Sequence, residues 1–353
     1  MKKILVAMSG GVDSAGACLL LKRQGYEVCG ATMLLRDGGE GEVEDARRAA
    51  QKIGVPFYCF DLRKEFRENV IVPFTKTYQA GGTPNPCVVC NRTMKFGLFL
   101  EKARELGCDA IATGHYARIT EQNGRFLLST ADDRAKDQTY MLCMLNQFQL
   151  AHAVFPLAEI QDKNEIRRML EREGIELAHK HDSQDICFVP DGDYMGYLTA
   201  HGLTPQKGNY ITPEGKIIAP HKGMEAYTTG QRRGLGIAFG ERAYVLGKRG
   251  ADVIIGAENQ LYSTEVFVSN VNYIPFDKPD GPIRVQAKLR YTTKFSDAML
   301  IPGKTGCRLL FDEPQRAVTS GQTAAFYDGN TVIGGGIICT KETYGKENEN
   351  EKV

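Results

Sequence analysis

The segment Lys3-Ile4-Leu5-Val6-Ala7-Met8-Ser9-Gly10-Gly11-Val12-Asp13-Ser14 decides the reading of the fold. Its first half is a short apolar run, as expected of a strand buried on both faces. Two glycines follow, and then a helical period over 13–24 that stops at Gly25. A strand that turns through glycines into a helix aims amide N–H groups and partial positive charge at one point. Ser9 and Ser14 add hydroxyl donors. The expected chemistry is binding of an anion such as pyrophosphate. The chain has no GxxxxGK[ST] run, so a P-loop NTPase is not indicated. The plainer alternative is a glycine-rich turn capped by Ser or Asp.

Working outward, strand and helix alternate. Strands are expected over 27–34, 57–61 and 109–113, and helices over 42–53, 64–79 and 93–106, with a loop at 81–86. That rhythm predicts an α/β domain of Rossmann-like type, a parallel sheet with helices on both faces. From 126 to about 172 the pattern turns more helical. Residues 203–225 are broken by Gly and Pro. Short alternating runs at 265–271, 283–289, 306–310, 324–327 and 332–338 predict a C-terminal antiparallel β-barrel or sandwich. The expected division is 1–199 for the nucleotide domain, 200–262 for a small central β-containing domain, 263–340 for the barrel, and 341–353 for a flexible tail.

Composition bounds the function. The 353 residues carry 44 Lys+Arg and 43 Asp+Glu, for a net +1, so the total shows no strongly basic nucleic-acid binder. Residues 1–200 hold 25 basic and 27 acidic side chains, whereas 201–340 hold 16 and 12. Only the later part leans basic. Ten cysteines are too sparse for a disulfide scaffold. The N-terminal apolar run is too short for a signal peptide, and no stretch approaches the length of a membrane span. A soluble, cytoplasmic protein with reduced thiols and no membrane contact is expected, with a monomer as the default.

Further motifs follow in order: Thr83-Pro84-Asn85-Pro86-Cys87-Val88-Val89-Cys90-Asn91, Ala112-Thr113-Gly114-His115-Tyr116-Ala117-Arg118, Lys136-Asp137-Gln138, Asp182-Ser183-Gln184-Asp185-Ile186-Cys187-Phe188, Thr229-Gly230-Gln231-Arg232-Arg233-Gly234-Leu235-Gly236 and Gly334-Gly335-Gly336. The first loop resembles that of the PP-loop ATPases, which cleave ATP between the α- and β-phosphates. The ordered set resembles the bacterial tRNA-specific 2-thiouridylases, over nearly the whole chain.

The resemblance implies ATP-dependent 2-thiolation of the wobble uridine of tRNA, with ATP and Mg2+, and a sulfur-carrier protein or cysteine desulfurase as sulfur donor. It assigns Cys90 and Cys187 as catalytic, with Cys187 carrying a persulfide. Cys90 resolves it, which leaves a disulfide bond. A thiolate is the best side-chain nucleophile near neutral pH. The resemblance places ATP at Ala7, Met8, Ser9, Gly10, Gly11, Val12, Asp13, Ser14, Met33 and Gly114. It places tRNA at Asn85, Pro86, Lys136, Asp137, Gln138, Arg290 and Tyr291. Cys87 stands where the family more often has Asp. Cys87, Cys90 and Cys187 are therefore three thiols able to hold a 4Fe–4S cluster that carries sulfide, a second mechanism beside the persulfide. The other seven cysteines are expected to be packing residues. His115 is read either as a core histidine or as a phosphate neighbour. The other readings are a PP-loop ligase or amidotransferase acting on a small molecule, and an RNA-binding or sulfur-relay scaffold with a degenerate nucleotide site.

Overall fold

The computed structural model describes residues 2–175, 177, 186–189, 192–237 and 242–349. β1 (Lys3–Ala7) leads into α1 (Val12–Arg23), and β2 (Glu27–Leu34) leads through α2 (Glu40–Ile53) to β3 (Phe57–Asp61). β4 (Ala110–Ala112) comes next. A hairpin of β5 (Ala117–Gln122) and β6 (Arg125–Thr130) precedes β7 (Ala153–Val154). The first sheet has the order β3-β2-β1-β4-β7 and every pairing in it is parallel. β1 to β3 run out to one edge and β4 returns to the other side of β1. The gap between β1 and β4 is thus a topological switch point, where α/β sheets bind ligands.

The helix expected over 93–106 begins earlier. Asn85 caps a helix at Pro86–Cys90, accepting from the Val88 N–H at 3.4 Å, and the helix continues as a π segment at Asn91–Leu98 and an α segment at Phe99–Glu105. Proline fits the first helical position because its missing N–H has no partner there anyway. Cys87 and Cys90 therefore lie on a helix.

The helical pattern expected from 126 to about 172 holds in helices at Thr139–Met141, Gln147–Ala151 and Lys163–Arg172, but its start is corrected by the β5–β6 hairpin. Asn123 and Gly124 form its two-residue turn with φ of 52° and 75°, the left-handed pair such turns demand. The hairpin joins the C-terminal sheet through Thr331 opposite Ser129.

A four-stranded central sheet follows, made of β8 (Gly208–Ile211), β9 (Ile217–His221), β10 (Tyr244–Arg249) and β11 (Asp252–Gly256) in the order β10-β11-β8-β9. The C-terminal strands are β12 (Tyr262–Tyr273), β13 (Ile283–Lys288), β14 (Ser296–Pro302), β15 (Gly306–Arg316), β16 (Thr323–Asp328) and β17 (Thr331–Cys339). They run β12-β15-β14-β13-β16-β17 and close through β12–β17. Closure removes the free edges. Leu5, Ile111, Tyr140 and Cys143 share one buried cluster with Ala325, Tyr327 and Val332, so the barrel packs into the nucleotide domain. Within the tail expected over 341–353, Lys341–Glu349 form a helix. Its Tyr344 ring lies 5.2 Å from that of Phe267 on β12.

Candidate active site

The phosphate loop sits at the C-terminal end of β1. Met8 is fixed from both sides: its N–H donates to the Ala31 carbonyl at 2.8 Å, and its carbonyl accepts from Thr32 Oγ1. Gly10 takes φ of 70°, and a Cβ there would stand 2.6 Å from the Glu42 carbonyl. Gly11 caps α1 with no side-chain hydrogen bond, which leaves the first-turn N–H groups to an incoming anion. Ser14 Oγ accepts from the Ser9 N–H at 3.1 Å and donates to the Gly11 carbonyl at 3.0 Å, closing the loop on itself.

Gly114 follows β4 across the switch point. A Cβ at Gly114 would lie 2.6 Å from the Asp13 carbonyl carbon and 2.8 Å from the Ser14 nitrogen, so only glycine lets the segment after β4 meet the first turn of α1. Met33 belongs to the adjoining end of β2. The residues expected to bind ATP are thus brought together, and the bare helix N-terminus fits a polyphosphate.

Two residues to which the sequence reading gave no role complete this corner. Lys163 Nζ lies 2.7 Å from Asp13 Oδ2, and Tyr116 Oη donates to Asp13 Oδ1 at 3.0 Å. Lys163 opens the helix Lys163–Arg172, which packs on α1 where Gly16 leaves room for Ile166. Nothing local in the sequence ties Lys163 to the loop.

The sulfur site is built from two distant segments. Cys90 is buried in a cluster with Phe66, Phe74, Phe188 and Val189. The Phe188 ring lies 5.5, 5.2 and 5.3 Å from those of Phe66, Phe74 and Tyr197, and this aromatic cage anchors the neighbouring Cys187. The thiols of Cys87, Cys90 and Cys187 influence one another electrostatically. Burial pushes Cys90 up to about 12 against the opposing pull of Lys95. Cys87 and Cys187 are exposed, yet the surrounding protein also raises both. Arg36 and Glu42, paired at 2.6 Å, act on Cys187. The Glu42 carbonyl also stands close behind Gly10. Asp182, Ser183, Gln184 and Asp185 lie outside the described residues.

All ten cysteines are free thiols. Among the described residues no group of three or more His, Cys, Asp or Glu is arranged to hold a metal ion. Cys59, expected in packing, is exposed on edge strand β3. His115 is half-buried, its Nδ1 2.7 Å from Thr113 Oγ1. Burial, and then Lys95, hold its pKa well below the ordinary histidine value.

The residues expected to meet tRNA are engaged with the protein. Asn85 caps the cysteine helix. Pro86 is buried at its first turn. Lys136 Nζ lies 3.3 Å from Asp133 and 5.8 Å above the Tyr116 ring. Asp137 accepts from the Ala131 N–H and Thr139 Oγ1 at 3.2 and 2.6 Å, and burial raises its pKa. Gln138 exchanges two hydrogen bonds with the Tyr116 backbone at 3.1 and 3.0 Å. Arg290 Nη2 donates to the carbonyls of Thr229 and Ala317 at 3.3 and 2.9 Å and to Thr319 Oγ1 at 2.6 Å. Tyr291 is exposed, with Lys288 Nζ 5.6 Å over its ring.

Three family models match the chain. They are the tRNA methyl transferase HUP domain over 2–191, the tRNA methyl transferase PRC-barrel domain over 197–256, and the aminomethyltransferase beta-barrel domain over 263–338. A tRNA-specific 2-thiouridylase MnmA of Clostridium botulinum (strain Alaska E43 / Type E3) is 45% identical, over 96% of this chain and 98% of the relative. The protein of that name from Clostridium acetobutylicum is 44% identical, over 96% and 99%. Among solved structures, a 4-thiouridine synthetase–RNA complex with bound ATP has a TM-score of 0.38 and 20% identity, covering 53% of this chain and 45% of that one. No helix among the described residues is long and apolar enough to cross a membrane. On near-full-length identity of this size, the chain belongs to the tRNA-specific 2-thiouridylase family.

Proposed function

We propose that the chain is a tRNA-uridine 2-sulfurtransferase that uses ATP to replace the 2-oxygen of the wobble uridine by sulfur. The observation that carries this is a bare phosphate loop at the switch point, in a chain where Cys90 shares a buried cluster with Phe188, the residue next to Cys187. Loop amides, with Lys163 beside them, bind the phosphates of ATP, which enters as its Mg2+ chelate. The uridine 2-oxygen attacks the α-phosphate, pyrophosphate departs, and the base is left as an O-adenylate. That step turns a poor leaving group into AMP.

Exposure divides the cysteine roles. Cys187 is exposed and Cys90 buried, so Cys187 is the thiol that a donor protein, a persulfide carrier or a cysteine desulfurase, can reach. The outer sulfur of a Cys187 persulfide, as its anion, attacks C2. The C2–S bond forms, the C2–O bond breaks, and AMP leaves. The Cys90 thiolate then attacks the inner sulfur. The S–S bond breaks, its electron pair stays on the sulfur bound to C2, and N3 takes up a proton. Thiouridine departs, leaving a Cys90–Cys187 disulfide that a thiol reductant reopens with two electrons.

Bringing the base to this site requires it to leave the anticodon stack, which costs little in a single-stranded loop. Phosphate contacts give salt-dependent affinity. Their candidate surface includes Lys207, Lys216, Lys222, Arg232 and Arg233. The test is mass analysis of the wobble uridine in unmodified tRNA after incubation with ATP and a persulfide source. A mass gain of sulfur for oxygen at that base is expected. Pyrophosphate release with a small carboxylate or purine, and none with tRNA, would instead identify a ligase.

A further inference from the structure

The chain enters the cysteine helix through Thr83-Pro84-Asn85-Pro86. Each proline fixes its own φ and drives the residue before it toward extended backbone. Asn85 accordingly has φ of −110° and ψ of 93°. The segment is a stiff rod, so whatever holds its start sets where Cys87 and Cys90 lie.

The barrel holds that start. The turn at 317–322, between β15 and β16, lies against it. The Thr83 N–H donates to the Ser320 carbonyl at 2.8 Å, and Gln322 Nε2 donates to the carbonyls of Thr83 and Pro84 at 3.0 and 3.4 Å. A Cβ at Gly321 would lie 3.0 Å from the Thr83 nitrogen and 3.1 Å from its carbonyl oxygen, so turn and rod touch backbone to backbone. Gln322 is half-buried and fixed by its own main chain: its N–H donates to the Thr319 carbonyl at 3.3 Å, and its carbonyl accepts from the Ile338 N–H at 2.8 Å. Arg290 braces the turn from the barrel side through the Ala317 carbonyl and Thr319 Oγ1. Farther along the helix the tie is to the nucleotide domain. Gln149 Nε2 donates there to the carbonyls of Arg92 and Phe96 at 2.8 and 3.0 Å. The cysteine helix is thus strung between two domains, with one glutamine amide on each side.

We propose that Gln322 is a positioning residue for sulfur transfer: by gripping the Thr83 and Pro84 carbonyls it fixes the start of the cysteine helix on the barrel, and so fixes Cys90 for its attack on the Cys187 persulfide. This rests on the sulfur-transfer reading above. Gln322 acts through the backbone of the rod and does no chemistry itself.

The test is backbone hydrogen exchange in the full chain, read by mass spectrometry on peptides, since exchange reports local opening. Gln322→Met keeps the length of the side chain and loses the donor. The amides of 87–91 should exchange about tenfold faster in the variant, as loss of about one net hydrogen bond predicts, while those of β13 and β14 keep wild-type rates. The kcat for thiolation should fall about tenfold with the KM for ATP unchanged. Wild-type exchange over 87–91 would overturn the proposal. So would a rise spread equally over the barrel strands, which would make Gln322 a residue of barrel stability, and so would full thiolation by a variant whose helix has loosened. Should Gln322→Met not fold, Gln322→Glu, equal in shape but without the donor at neutral pH, takes its place. The exchange comparison uses neither ATP nor tRNA. A wild-type enzyme that never thiolates tRNA therefore sinks the sulfur-transfer reading, while exchange still decides whether Gln322 holds the helix.

Discussion

In the proposed scheme two sulfur atoms divide the work at the residue scale. Cys187 is open to solvent and Cys90 is not, so the two serine variants should fail differently. Cys187→Ser has no carrier sulfur, and thiolation should vanish while adenylation, read as pyrophosphate release, persists. Cys90→Ser can still form the adduct but cannot resolve it. A tRNA–Cys187 species held by a disulfide should accumulate and dissolve in dithiothreitol. Full thiolation by either variant would refute the scheme. At the other end of the site, Lys163 and Tyr116 hold the Asp13 carboxylate. Lys163→Met removes a mostly buried cation from the loop. Allowing for partial solvent screening, the cost is about 1–2 kcal/mol. That should raise the KM for ATP about tenfold, measured by pyrophosphate release, and leave the alkylation of Cys187 unchanged.

At the element scale, the site is made where strand ends meet. The segment after β4 approaches the first turn of α1 closely enough that Gly114 nearly touches the Asp13–Ser14 peptide. Gly114→Ala would push against backbone, which yields less readily than a side chain, at about 1–3 kcal/mol. ATP affinity should fall about tenfold or more, with little change in the reactivity of Cys187. Equal ATP affinity in the variant would show that the loop has more freedom than its contacts imply. The phosphate loop was legible in the sequence because its chemistry is local: strand, glycines and helix are contiguous. So was the Asn123-Gly124 turn, although the reading passed over it for a helical pattern and lost the hairpin it closes. Asn85-Pro86 likewise announces a cap and a first helical residue, which puts Cys87 and Cys90 on the helix. The pairing of Asp13 with Lys163 was not legible. It depends on α1 packing against Lys163–Arg172, and no spacing in the chain records a contact between distant helices. The convergence of Cys90 with Cys187 was available only through resemblance, for the same reason.

At the scale of the whole molecule, the thiols that do no chemistry still shape how the protein responds to pH. Cys18 sits between α1 and its neighbours and Cys143 where the barrel meets the nucleotide domain, both fully buried. Burial pushes each up to about 12, as it does Cys90. An unfolded thiol ionises near 8.5. The folded value is the higher one, so the folded state favours the protonated thiol. The stability this contributes is complete below the unfolded pKa and is lost as pH rises toward 12. Each such thiol removes up to about 1.4 kcal/mol per pH unit in that window. Urea unfolding under reducing conditions should therefore show a midpoint that is level from pH 7 to 8 and falls clearly between pH 9 and 10. Three buried thiols lie in three separate clusters, so the loss should be shared. Cys18→Ala, which replaces a small buried hydrophobe without adding a polar atom, should make the alkaline fall shallower. It should do so even if it lowers stability at pH 7. A midpoint unchanged between pH 8 and 10 would mean that these sulfurs reach water more easily than their burial indicates.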